Sequence, residues 1–304
     1  MIITSQSTED MKSEWKERVS EMNRKPWEEL VITDDFLFGK VMTDPIICKG
    51  TLERILGVKI ESIEYPERQK VIDVDYDAKG VRLDVYVQDG KGTVYNIEMQ
   101  ALSTDNLPKR SRYYQGMIDL NLLEKGAHYS ELNQSYVIFV CNFDLFKCGR
   151  HLYTFENICL QDKEICLKDE TTKIFLNAKG TMNDVSDELK AFLNYVSTGE
   201  VSDDKFVNAV DQAVKSAREN KEWRREYMTQ YMRELEIKMK ARADGKVISI
   251  ISQIRKKIVK GLSCEVIADM LETDVEMVEK IVELIKENPS LDDEMIYAQF
   301  EDRE

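Results

Sequence analysis

VRLDVYVQDGKGTVYNIEMQ, residues 81–100, is the stretch whose reading decides the fold. Two runs of alternating apolar and polar residues, 81–88 and 93–100, flank Asp89-Gly90-Lys91-Gly92. An Asp-Gly step between alternating runs is a strong hairpin signal. Successive strand side chains point to opposite faces, so Glu98 and Gln100 share a face while Ile97 and Met99 take the other. Asp84, between Leu83 and Val85, comes opposite Glu98 only if the loop is odd, such as Gly90-Lys91-Gly92 with Gly92 left-handed. An even loop sends the two carboxylates to opposite faces. Carboxylates that converge repel one another unless a cation lies between them. Mg²⁺ is such a cation: it takes oxygen ligands, activates water and stabilises charge on an attacked phosphate. The same alternation also describes the solvated face of a two-sided strand.

Outward from the hairpin, Thr33-Asp34-Asp35 stands where a helix cap is expected, ahead of Phe36, Phe38 and Val41. A second helix is predicted over 45–56, stopped by Gly57. Residues 71–76 alternate as a further strand, with Ile72, Val74 and Tyr76 on one face. Downstream, a helix over 108–124 ends toward Gly126, and Ser135-Tyr-Val-Ile-Phe-Val-Cys141 is a short apolar run of buried-strand type. Helix, strands in a meander, helix, strand: the order is that of an α/β core. From Thr181 onward long helical patterns take over. The predicted organisation is an extension over 1–29, an α/β domain over 30–180 and a helical region over 181–245. A three-helix, helix-turn-helix-like unit over 246–290 and an acidic tail over 291–304 complete it.

The 304 residues carry a net charge of -14, with 57 acids against 43 bases. Residues 261–304 hold fourteen acids and three bases, so the acidity belongs to the C-terminal end. The other residues are nearly balanced, with 43 acids and 40 bases, and do not weigh against nucleic acid. Residues 211–260 hold fourteen bases against seven acids, which suits either a DNA-tracking surface or a solvated charged helix. The helix after Thr273-x-x-Glu276, a capping-box pattern, carries Glu276, Glu279, Glu283 and Glu287. Phosphate would repel it, so it reads as a packing or self-association module and a route to a homo-oligomer. No uncharged apolar run approaches the roughly 20 residues of a membrane crossing. Two histidines (His128, His151) and no C-x-x-C among six cysteines exclude a His-Cys zinc cluster. Scattered thiols without a signal-peptide pattern lead to an expected cytoplasmic location.

Asp84, Glu98-x-Gln100, Arg110-Ser-Arg112-Tyr-Tyr114, Gly126 and Tyr129 together resemble the PD-(D/E)XK nuclease superfamily, in particular its branch of recombination-promoting nucleases and transposases. Tyr95-Asn-Ile-Glu-Met-Gln100, Arg112-Tyr-Tyr-Gln-Gly-Met-Ile-Asp119, Asp34-x-Phe36-x-Phe38-Gly39 and Phe175-Leu-Asn-x-x-Gly180 also look like that branch. The resemblance covers residues 30–180 in detail and the helices more loosely. It implies a restriction-endonuclease-like core with a mixed sheet, followed by an α-helical C-terminal region. It further implies a Mg²⁺ site, with Mn²⁺ able to substitute, held by Asp84 and Glu98. Gln100 falls where the superfamily name places Lys, and an amide hydrogen-bonds where an ammonium would also supply charge. Arg110 and Arg112 are expected to hold phosphate, with Glu53 and Tyr114 as supporting candidates. The implied function is a metal-dependent DNA endonuclease that promotes recombination or element mobility. Its competitors are a catalytically weak or inactive nuclease-fold protein that binds DNA or regulates, for instance in phage defence, and an RNA nuclease on the same scaffold.

Overall fold

The computed structural model describes residues 25–64, 67–72, 81–104 and 106–303. Its centre is a six-stranded mixed sheet of order β1-β2-β3-β4-β6-β5. The strands are β1 (Glu67–Ile72), β2 (Val81–Gln88), β3 (Val94–Gln100), β4 (Ser135–Cys141), β5 (Leu152–Phe155) and β6 (Thr171–Asn177). β1, β2 and β3 form an antiparallel meander, β3, β4 and β6 run parallel, and β5 closes one edge antiparallel to β6. The strand expected over 71–76 is β1, which starts four residues earlier; residues 73–80 lie outside the described ones.

The hairpin forms in the odd register. Val85 pairs with Ile97 and Tyr86 with Asn96, and the loop Gly90-Lys91-Gly92 turns with Gly92 at φ 86°. Only glycine takes that left-handed conformation without a Cβ penalty. Asp89 Oδ1 accepts from the N–H groups of Lys91 and Thr93, both at 2.9 Å, which ties the turn shut.

Helices cover both faces. α1 (Asp35–Val41) packs on β1, β2 and β3. α2 (Pro45–Leu56) has the predicted bounds: Asp44 caps it by accepting from Ile46 N–H at 2.8 Å, and Gly57 ends it. α3 (Leu107–Leu122) packs on β4 and β1. Gly126 sits in the turn beyond α3 rather than at its cap, which is Leu123. Between α3 and the sheet lie stacked rings: Phe139 faces Phe175 at 5.3 Å and Tyr114 at 6.2 Å. Such pairs add about 0.5–1.5 kcal/mol each beyond their burial.

The segment Phe175-Leu-Asn-x-x-Gly180 acts as a lock at the end of β6. Asn177 Nδ2 donates to Arg150 O at 2.9 Å, and the His151 ring lies so close to Gly180 that a Cβ there would meet it at 2.5 Å. His151 Nδ1 in turn pairs with Asp184 at 3.0 Å.

Two boundaries differ from the sequence reading. α4 (Asp187–Thr198) and α5 (Lys205–Glu219) belong with the nuclease-like core, which forms one compact unit through Arg224 rather than ending at 180. The physical tie is Arg54 on α2: it pairs with Asp204 at 3.2 Å and lies over the Phe206 ring at 4.0 Å. The end of the expected N-terminal extension is anchored in the same unit. Trp27 is buried and donates from Nε1 to Arg218 O at 2.7 Å.

The second unit, residues 225–304, has its own apolar core. It takes in most of α6 (Lys221–Val259), then α7 (Cys264–Leu271), α8 (Val275–Glu287) and α9 (Asp293–Glu301). The expected acidic tail is therefore a helix: Asp292 caps it, and Ile296 and Phe300 are buried. Arg255 fastens it by donating to Asp293 and to Leu291 O, both at 2.9 Å. α8 is capped by Asp274, one residue past the predicted Thr273, because Asp274 Oδ1 accepts from Glu276 N–H at 2.6 Å.

Candidate active site

The pairing of β2 with β3 runs from Gln88↔Val94 to Val85↔Ile97, and one step further places Asp84 opposite Glu98. There side chains bond into the facing strand's backbone. Glu98 Oε1 accepts from Asp84 N–H at 3.0 Å, and Asp84 Oδ2 accepts from Met99 N–H at 3.2 Å. Each carboxylate is thus fixed by the opposite strand, and the two converge as the odd loop requires.

Their surroundings differ. Glu98 is wholly buried, in the same sheet row as Phe139 and Phe175, while Asp84 stays partly accessible. Burial raises the pKa of Glu98, against the lowering pull of the Asp84 N–H bond and the Arg110 charge. Asp84 is pushed well above the ordinary aspartate range, first by burial, then by the Glu98 charge and by that of Asp35 at the start of α1. Three acids thus contribute to one negative field.

A cation on α3 answers it. Arg110, in the first turn of α3, donates from Nη2 to Glu98 Oε2 at 2.9 Å, from Nη1 to Gln100 Oε1 at 3.2 Å and from Nε to the Tyr114 hydroxyl at 2.9 Å. Its guanidinium also lies over the rings of Tyr114 and Phe139, at 5.1 and 5.5 Å. The spacing of four residues explains the Tyr114 contact, since i and i+4 share a helix face. Burial and the Glu98 charge push the Tyr114 hydroxyl up to about 12, so it stays protonated. Gln100 is held at both ends, because its Nε2 donates to Met99 O at 2.8 Å.

In this structure the charge of Arg110, expected to hold phosphate, rests on the Glu98 carboxylate and the Gln100 amide. Arg112 is exposed, two residues and some 200° around the helix from Arg110, and does not join the cluster. Glu53 is also elsewhere. Its Oε1 accepts from Ile60 N–H at 2.9 Å and it pairs with Lys59 at 3.4 Å, closing the loop after α2. Among the basic residues of 211–260, Lys215, Arg224, Lys240 and Arg255 form ion pairs with Asp211, Glu28, Glu301 and Asp293. Asp35 escaped the sequence reading because an acid at a helix start reads as a cap. Phe139 escaped it because an apolar strand residue reads as core.

For a metal, the donor set is all oxygen: the Asp84 and Glu98 carboxylates and the Gln100 amide. Among the described residues, no three of His, Cys, Asp and Glu gather closely enough to cage an ion. Two carboxylates with water and substrate oxygens suit Mg²⁺, which keeps several of its waters. The residues fit a hard divalent ion.

A family model described as PD-(D/E)XK nuclease family transposase matches residues 35–250. The chain belongs to that family. No curated protein and no solved structure matches it. The PD-(D/E)XK span opens at Asp35, the acid whose charge Asp84 feels, and leaves 251–304 outside it. Among the described residues, no helix of this PD-(D/E)XK chain is long and apolar enough to cross a membrane.

Proposed function

We propose that this PD-(D/E)XK nuclease is a Mg²⁺-dependent endonuclease that hydrolyses phosphodiester bonds in DNA and so promotes recombination or element mobility. The observation that carries the reading is the convergence of Asp84 and Glu98, each bonded to the other strand's backbone, beside Gln100 and Arg110.

Asp84 and Glu98 would hold the ion, Asp84 from the accessible side and Glu98 from the buried side. A bound divalent ion supplies an activated water and neutralises charge on the attacked phosphate. Glu98 is kept in one orientation by Asp84 N–H on its Oε1. Gln100, with its Nε2 held by Met99 O, keeps one N–H and an oxygen lone pair for a water, but it takes up no proton at neutral pH. Tyr114 stays protonated and fixes the Arg110 side chain. Phe139 and Phe175 keep bulk water from the Glu98 side, which strengthens every charge interaction there.

Plasmid cleavage with Mg²⁺ or Mn²⁺ tests the reading. Asp84→Ala and Glu98→Ala are expected to lower the cleavage rate by about 100-fold or more, the scale of a lost transition-state contact. Full cleavage by both variants discards the site. Binding without cleavage by the wild type leaves a nuclease-fold DNA-binding protein.

A further inference from the structure

We infer that Arg110 is the resident cation of this site: it neutralises Glu98 in the metal-free protein, and a divalent ion binds by displacing it from that carboxylate. The inference rests on the metal reading above and adds a competition inside the site.

Both oxygens of Glu98 are engaged in this structure, Oε1 by Asp84 N–H at 3.0 Å and Oε2 by Arg110 Nη2 at 2.9 Å. The Glu98 side chain is only 1% exposed, so solvent does not replace a lost partner. A buried carboxylate left alone is costly, and Arg110 removes that cost. The same guanidinium also occupies Gln100 Oε1, the third oxygen of the donor set, at 3.2 Å. A divalent ion arriving at Asp84 and Glu98 therefore meets a fixed positive charge within contact distance of its ligands. Repulsion between the two cations is strong where water is excluded.

The contacts of Arg110 divide into an anchor and a clamp. The anchor is the Nε bond to Tyr114 and the two ring faces; the clamp is the Nη pair on Glu98 and Gln100. Rotation about the anchor releases the clamp without pulling the side chain off α3. Arg110 is 30% exposed, so the released fork reaches solvent at the site, where a phosphate offers two acceptors in the right geometry. Metal loading thereby frees a phosphate ligand. A bound strand that holds Arg110 away from Glu98 in turn tightens the metal, by the reciprocity of coupled equilibria.

Direct titration of the full chain with Mn²⁺, without nucleic acid, reads the competition. Arg110→Met is expected to bind Mn²⁺ about tenfold tighter than wild type or more, since it removes the competing charge. It is also expected to melt at lower temperature in chelator and to gain more from Mn²⁺ than wild type gains. Arg110→Lys keeps the charge but cannot bridge both oxygens, so its affinity falls between the two. Equal or weaker Mn²⁺ binding by Arg110→Met overturns the inference and makes Arg110 a positioning residue for Glu98. Should Arg110→Met fail to fold, Tyr114→Phe loosens the anchor and keeps the charge. A rise in its Mn²⁺ affinity of roughly threefold, less than the loss of one hydrogen bond can give, supports the inference, and no rise overturns it. Mn²⁺ binding that Asp84→Asn abolishes and Arg110→Met leaves unchanged sinks the competition alone. Absence of Mn²⁺ binding in wild type and every variant sinks the metal reading with it.

Discussion

At the turn end of the β2–β3 hairpin, Asp89 Oδ1 accepts from Lys91 and Thr93 N–H and its Oδ2 accepts from the Tyr95 hydroxyl, all at 2.9 Å. At the open end, Asp84 accepts from Met99 N–H at 3.2 Å and faces the charges of Glu98 and Asp35. Both are aspartates of β2 or its turn, five residues apart. Asp89 is saturated with donors and holds the register. Asp84 is short of donors and crowded by acids, so its negative charge is a liability until a cation arrives. Strain of this kind at one end of a hairpin, set against full satisfaction at the other, is what separates a functional carboxylate from a structural one.

The contrast can be broken at either end. The largest effect belongs to Asp89→Ala, which leaves the buried Thr93 N–H and Tyr95 hydroxyl and the part-buried Lys91 N–H without their acceptor. A loss of about 2–4 kcal/mol in urea unfolding is expected, from the cost of unsatisfied buried donors. Asp84→Asn should act in the opposite direction. It removes a repelled charge, so in chelator it should raise stability by on the order of 1 kcal/mol while abolishing cleavage. A destabilised Asp84→Asn would show that Asp84 is as well satisfied as Asp89.

The pH dependence sharpens the same point. Asp84 and Glu98 both have native pKa values raised above the ordinary 3.8 and 4.5. The native state then binds more protons than the unfolded chain, and stability falls as pH climbs from about 4 through the raised values. Asp144 and Asp184 act with the opposite sign. Burial pushes each up, but hydrogen bonds from the 146–149 turn and from His151 outweigh it and lower both. The difference between wild-type and Asp84→Asn melting curves, taken across pH without metal, isolates the site. The variant's advantage should grow as pH rises above 4; a constant difference would mean that Asp84 does not titrate abnormally. At the turn end, Gly92→Ala is expected to destabilise by less than Asp89→Ala. Its φ of 86° disfavours any Cβ, and that Cβ would meet Asn133 Nδ2 at 2.8 Å, for a cost of about 1–2 kcal/mol in unfolding.

Much of this hairpin was legible beforehand. Period-two alternation and the Asp-Gly step mark strands and turn through local rules of backbone geometry, but they admit an odd or an even loop, and the structure takes the odd one that brings Asp84 opposite Glu98. The bounds of α2 and β4 were legible for similar reasons, a proline start with a glycine stop and an unbroken apolar run. β5 was not, because it is four residues long, sits at the sheet edge and leaves Thr154 and Phe155 exposed. The C-terminal helix α9 was hidden by its charge, since Ile296 and Phe300 are two apolar anchors in an acidic stretch.

The sequence by itself determined the α/β order, the acids of the hairpin and the family motif, because strand period, turn chemistry and motif spacing act over a few residues. Only the tertiary structure decided what each charge does. Arg110 and Arg112 stand two residues apart and read alike, yet one is clamped on Glu98 and the other faces solvent. Asp35 reads as a cap and sits within the field of Asp84. Those roles depend on which helix face meets which strand, and that is set by the packing of α1 and α3 on the sheet rather than by any local pattern.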